Sequence, residues 1–141
     1  MSISNIFPLS IYHNKISLSD DERTNLVDEI SFLYDKSPKI NSKNSSWTGD
    51  VNGSEFLFRN KKFKKIASLI SEKIYDYLNE LAIDKNLVDL YFQRSWATIT
   101  SKKQNISWHT HSQSNISFAY YLLKPPKSGS MLFKSENPPN A

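Results

Sequence analysis

Two of the chain's three histidines, His109 and His111, stand one residue apart in the run Asn105-Ile-Ser-Trp-His-Thr-His-Ser-Gln-Ser-Asn-Ile-Ser-Phe-Ala-Tyr-Tyr-Leu-Leu123. Side chains along an extended segment alternate between two faces. If residues 107 to 111 are extended, Ser107, His109 and His111 share one face, and Trp108 and Thr110 the other. Two imidazoles so placed can hold one metal ion without distorting the backbone. The competing reading is two half-buried strand histidines satisfied by ordinary hydrogen bonds. The chain has no cysteine, which removes disulfides, thiolate nucleophiles and Cys-ligated zinc. A metal here must be held by imidazole, carboxylate or water, a donor set that suits iron, manganese, zinc or copper. The third histidine, His13, lies beside Tyr12 and Asn14 and reads as a surface residue. Serine nucleophile chemistry has little support, because no Gly-x-Ser-x-Gly elbow is present.

Which elements position the pair follows from periodicity. Ser19-Asp-Asp-Glu22 is a capping box, in which Ser19 accepts from the Glu22 amide and the Glu22 side chain reaches back. Leu26, Ile30, Leu33 and Tyr34 then recur at helical spacing, predicting a helix over about 20 to 35 that Pro38 terminates. Phe63, Ile66, Ile70, Ile74, Tyr77, Leu78 and Leu81 form one apolar stripe and predict a second helix over about 61 to 82. Residues 87 to 100 are rich in β-branched and aromatic side chains and read as one long strand. Further strands are expected at about 106 to 111, 115 to 123 and 130 to 134. Residues 5 to 16, interrupted by Pro8, suit an edge strand or an extended lead-in. Residues 37 to 55 read mostly as loop, with Trp47-Thr-Gly49 expected to cap the core rather than line a cleft.

The 141 residues make one domain, long enough to bury roughly two thirds of the unfolded surface. Residues 1–85 are expected to hold the lead and both helices, and residues 86–141 the strand-rich portion. Helices followed by strands indicate an α+β domain in which the helices buttress an antiparallel sheet. The formal net charge is +4, and its densest cluster is Arg59, Lys61, Lys62, Lys64 and Lys65. That cluster reads as the solvated side of a helix, so nucleic acid is not the expected partner. There is no secretory signal pattern and no apolar run of membrane-spanning length, which points to a cytoplasmic protein.

In this order the features resemble the 2-oxoglutarate/iron(II) oxygenase family of marine bacteria and phages, a branch of the double-stranded β-helix oxygenases. The matching pieces are Ile6-Phe-Pro-Leu9, the Trp47-Thr-Gly49 loop, the Trp96 strand, His109-Thr-His111, Ser117-Phe-Ala-Tyr-Tyr-Leu122 and Ser128-Gly-Ser-Met-Leu-Phe133. Together they span nearly the whole chain. The resemblance implies a cupin-like jelly roll, incomplete at its C-terminal end, and oxidation of an unknown substrate with Fe(II) and 2-oxoglutarate. It implies His109 as the first iron ligand and Tyr121 as the residue whose hydroxyl meets the far carboxylate of 2-oxoglutarate. His111 would stand where the family usually has an acid, which departs from the two-His, one-carboxylate triad.

A second departure lies further on. The family's distal His, and the Arg or Lys that pairs with 2-oxoglutarate, have no counterpart, since no histidine follows His111 and no arginine follows Arg94. The sequence is therefore expected to be a piece of a longer reading frame. A barrel ending there would expose a strand edge able to pair with another copy. The alternatives are a cupin-like metal protein and a non-catalytic binding or assembly module on the same scaffold. The cupin motif expects a Glu four or five residues after the second His, where this chain has Asn115 and Ile116.

Overall fold

The computed structural model describes residues 10–38 and 44–134. The lead residues Ile6 to Leu9, with Pro8, and the terminal Asn137 to Ala141 lie outside them. Helix α1 spans Asp20–Lys36 and opens on the expected capping box. The Ser19 amide donates to Glu22 Oε2 at 2.9 Å, and the Glu22 amide donates to Ser19 Oγ at 3.2 Å. The helix stops at Ser37, whose extended ψ of 150° is what a residue preceding proline adopts.

Helix α2 spans Lys64–Glu80, three residues later than the apolar stripe suggests. Asn60 accounts for the delay, because its side chain accepts from the Lys62 amide and caps a 3-10 turn over Lys61–Phe63. The two helices meet through a small core of Leu18, Leu26, Leu57, Phe63 and Ile66, with Ile30, Leu33, Leu69 and Ile70 packed around it. Each such side chain, fully buried, contributes about 1.5 to 3 kcal/mol. Polar bonds knit the same seam. Glu29 of α1 accepts from Asn60 Nδ2 at 2.9 Å and from Lys62 Nζ at 2.6 Å, and Glu22 pairs with Lys65. Two lysines of the basic cluster thus tie α2 and its leading turn to α1.

The strand-rich jelly roll is not there. Among the described residues the sheet is one antiparallel pair, β1 (Trp47–Thr48) with β2 (Thr98–Ile99), in the register Trp47 to Ile99 and Thr48 to Thr98. No double-stranded β-helix is formed, and the fold is a small α+β unit of two helices and this two-stranded sheet. The expected strand over 87 to 100 begins in a 3-10 turn, Lys85–Leu87, and enters a ladder only at its end. Its sole regular partner comes from the 37 to 55 stretch that reads as loop. Isolated bridges extend the contact, Ser45 with Asn105 and Phe56 with Ser95.

The segments expected as strands at 106–111, 115–123 and 130–134 lie outside any ladder. From 106 to 134 the backbone hydrogen bonds among described residues close two turns, Ser114 to His111 and Ser128 to Pro125. A strand needs a neighbour to satisfy its amides and carbonyls, and no ladder among the described residues supplies one here. Among the described residues the buried apolar side chains are Leu18, Leu26, Leu57, Phe63, Ile66 and Leu78, all in or beside the helical half. No described helix is long and apolar enough to cross a membrane.

Candidate metal centre

The rings of His109 and His111 are in contact although the strand meant to carry them does not pair. Their ring centroids are 4.9 Å apart and their planes stand at 82°. Two imidazoles bound to one metal at about 2.0 to 2.1 Å would have centroids about 4.5 Å apart at 90° and about 5.2 Å apart at the tetrahedral angle. The observed spacing falls between these. His109 Nδ1 lies 2.8 Å from the Ser107 carbonyl oxygen. A carbonyl only accepts, so the bond places the proton on Nδ1 and leaves the Nε2 lone pair for a metal.

His111 is held from the other side. Its ring sits 5.7 Å from the Trp96 indole, tilted by 39°. The turn after it closes through Ser114, whose amide donates to the His111 carbonyl at 3.0 Å and whose hydroxyl donates to Gln93 Oε1 at 3.3 Å. Trp96 is in turn fixed by the sheet, since Ala97 accepts from the Gly49 amide at 2.9 Å and Thr98 pairs with Thr48. Gly49 is needed for that approach. A Cβ there would stand 3.2 Å from the Ser54 carbonyl oxygen and 3.4 Å from that of Ala97. The Trp47-Thr-Gly49 loop therefore acts as the brace beneath the Trp96 and His111 contact. Trp47 itself packs edge-on against Tyr34 of α1, with centroids 5.6 Å apart.

Tyr121 makes a separate contact of its own. It is 49% exposed, and the Lys124 ammonium lies over its ring at 4.8 Å. Its neighbour Tyr120 points inward and donates to the Ile16 carbonyl at 3.4 Å. His13 is exposed and apart from the pair. No described group of three or more His, Cys, Asp or Glu side chains gathers where a metal could sit.

The donor set explains why. From Leu90 to Lys134 the sequence contains neither Asp nor Glu. The two rings stand edge to face, with no carboxylate gathered beside them among the described residues. A facial triad's carboxylate is not supplied by the segment that carries the histidines. That gap is readable in the sequence as a stretch without acids, a signal a motif search centred on histidine passes over.

The titrating groups shifted by their surroundings lie in the helical half. Hydrogen bonds from Lys62 and then Asn60 hold the Glu29 carboxyl below its usual range. Lys65, and then the Ser19 amide, do the same for Glu22. Asp76 raises Lys73 across a 2.7 Å bond within α2. A cleft of about 350 Å³ between the helices is lined by Leu18, Glu22, Asn25, Leu26 and Lys65 among others. Its charged side chains are paired, Lys65 with Glu22 and Lys62 with Glu29.

No model of a known protein family matches this chain, and no curated protein and no solved structure matches it.

Proposed function

We propose that the chain is an Fe(II)- and 2-oxoglutarate-dependent oxygenase in which His109 and His111 hold the metal. The observation that carries the reading is the 4.9 Å spacing of two nearly perpendicular imidazoles, one already oriented by the Ser107 carbonyl. The reading does not depend on a β-helix barrel. When bound, iron with 2-oxoglutarate supplies dioxygen activation, delivering one oxygen atom to a substrate C–H bond and the other to succinate as carbon dioxide leaves.

The chain's own residues have separate tasks. His109 presents Nε2 while its Nδ1–H stays on the backbone. His111 presents its ring beside the Trp96 indole, which limits where that ring can turn. The Tyr121 hydroxyl and the Lys124 ammonium beside it are assigned to the far carboxylate of 2-oxoglutarate, which needs a donor and a positive charge. Two nitrogen ligands leave the remaining metal positions to 2-oxoglutarate, water and further oxygen donors.

A second reading, a non-catalytic metal-binding module, is favoured by the absence of any carboxylate between Leu90 and Lys134. Without that negative charge, imidazoles favour zinc or copper as readily as iron. One titration separates the two. Fe(II) and 2-oxoglutarate added without oxygen should give the weak visible charge-transfer band of the chelate, and His109→Ala should abolish it. If Co(II) binds at the pair but Fe(II) with 2-oxoglutarate gives no band, the oxygenase reading fails and the binding module stands.

A further inference from the structure

Charge is distributed unevenly along this chain. Thirteen of the fourteen acidic residues lie at or before Asp89, and the fourteenth is Glu136. Between Leu90 and Lys134 stand Arg94, Lys102, Lys103, Lys124, Lys127 and Lys134, all exposed and with no acid among them. None of the six forms an ion pair with a described carboxylate. Among the described residues, ion pairs join Lys62, Lys65 and Lys73 to Glu29, Glu22 and Asp76, all in the helical half.

Aromatic rings are interleaved with these cations. Tyr91 is 83% exposed, Trp108 65%, Tyr121 49% and Phe118 41%. A folded chain does not normally leave four large rings open along one stretch. Two of its rings already carry a cation, with the Arg94 guanidinium 5.5 Å from Trp96 and the Lys124 ammonium 4.8 Å from Tyr121. The backbone over 106–134 joins no ladder among the described residues and is broken by turns, and Trp108, Phe118 and Tyr121 lie along it with much of their surface open, Phe118 resting edge-on against Phe92 at 5.8 Å.

The charge argues about what covers this surface. Packing it against the same surface of a second copy would set six cations against six with no carboxylate to relieve them. An anionic partner meets no such penalty. One with flat faces along a charged backbone would also use the rings. We propose that residues 90–134 form a binding surface for single-stranded nucleic acid, the cations meeting phosphates and Tyr91, Trp108, Phe118 and Tyr121 stacking on bases. This is the combination by which sequence-tolerant single-strand binders work. It goes beyond the oxygenase reading, shares Tyr121 and Lys124 with it, and is tested with the metal chelated so that the two are told apart.

The test is fluorescence anisotropy of a 5′-labelled twenty-nucleotide oligo(dT) strand, with the full chain, in EDTA so that no metal contributes. Binding should weaken as salt rises, with a slope of log affinity on log salt of about −2 to −4, since each phosphate contact on a single strand contributes about −0.7. Trp108→Ala should weaken binding about ten-fold, the loss of one stacked base. Tyr91→Ala, at the most exposed ring, should also weaken it. Lys102→Gln with Lys103→Gln should reduce the salt slope. Far-UV circular dichroism of each variant checks that the helices persist. Three outcomes overturn the proposal: no anisotropy change at 50 mM salt, a chain that sediments as a dimer without binding the strand, and competition by polyglutamate or phosphatidylserine vesicles at equal charge with Trp108→Ala inert.

Discussion

The imidazole of His111 rests against the indole of Trp96, ring centroids 5.7 Å apart. Trp96 is therefore a built-in reporter for the metal pair. Cu(II) or Co(II) bound at His109 and His111 should quench tryptophan fluorescence, because a paramagnetic ion a few ångströms from an indole opens a non-radiative path. Trp96→Phe should remove a larger part of the quench than Trp47→Phe. Equal losses from the two variants would show that the ion sits elsewhere. Quenching should also fade as the solution is acidified, since a protonated imidazole has no lone pair to give.

Glu29 links α1 to Asn60 and Lys62, with its side chain only 11% exposed. Glu29→Gln removes the charge and should destabilise the chain by about 1 to 2 kcal/mol at neutral pH. The sign of the pH dependence follows from the lowered carboxyl. A group whose folded pKa lies below its unfolded value adds stability above the ordinary carboxylate range, and that stability disappears as pH falls through the folded value. Urea unfolding at pH 7 and at pH 3 should therefore show wild type and variant separated at the first and closer together at the second. A gap as wide at pH 3 as at pH 7 would mean that the ionised pair is not what Glu29 contributes.

Gly49→Ala places a methyl group 3.2 Å from the Ser54 carbonyl oxygen and 3.3 Å from Ser54 Cβ. The strain is steric rather than conformational, since Gly49 has a φ of −69° open to any residue. The cost should be about 1 to 3 kcal/mol, that of overpacking a close contact. Because Gly49 bonds Ala97, the same variant should loosen Trp96 and shift its emission to the red. Unchanged stability and emission would show that the loop does not brace the site.

What was legible in the sequence is what local chemistry decides. The Ser19 capping box and the Phe63, Ile66 and Leu78 stripe each act within one helix, and both helices form. His109 and His111 lie one residue apart, and that short separation alone keeps their rings close without a partner strand. What was not legible depends on finding a neighbour. Residues 87 to 100 have strand composition, but only Thr98 and Ile99 meet a regular partner, and that partner is Trp47 and Thr48 in a polar stretch rich in Ser and Asn. β-propensity describes a side chain suited to a pleated surface and does not supply the surface. The same limit undid the jelly roll, since Ser117 to Leu122 and Ser130 to Phe133 carry its alternation without a ladder to join. Lys62 and Lys65 gained a role that composition did not assign, because their carboxylate partners are thirty or more residues away in sequence.

The central claim is that His109 and His111 together hold one divalent metal ion. An anaerobic titration with Co(II), followed by its visible absorption and by calorimetry, tests it most directly. One ion should bind per chain, and His109→Ala and His111→Ala should each weaken binding by about ten-fold or more, with the double variant no weaker than the sum of steps toward baseline. Co(II) binding that is absent, or that survives both substitutions unchanged, would contradict it.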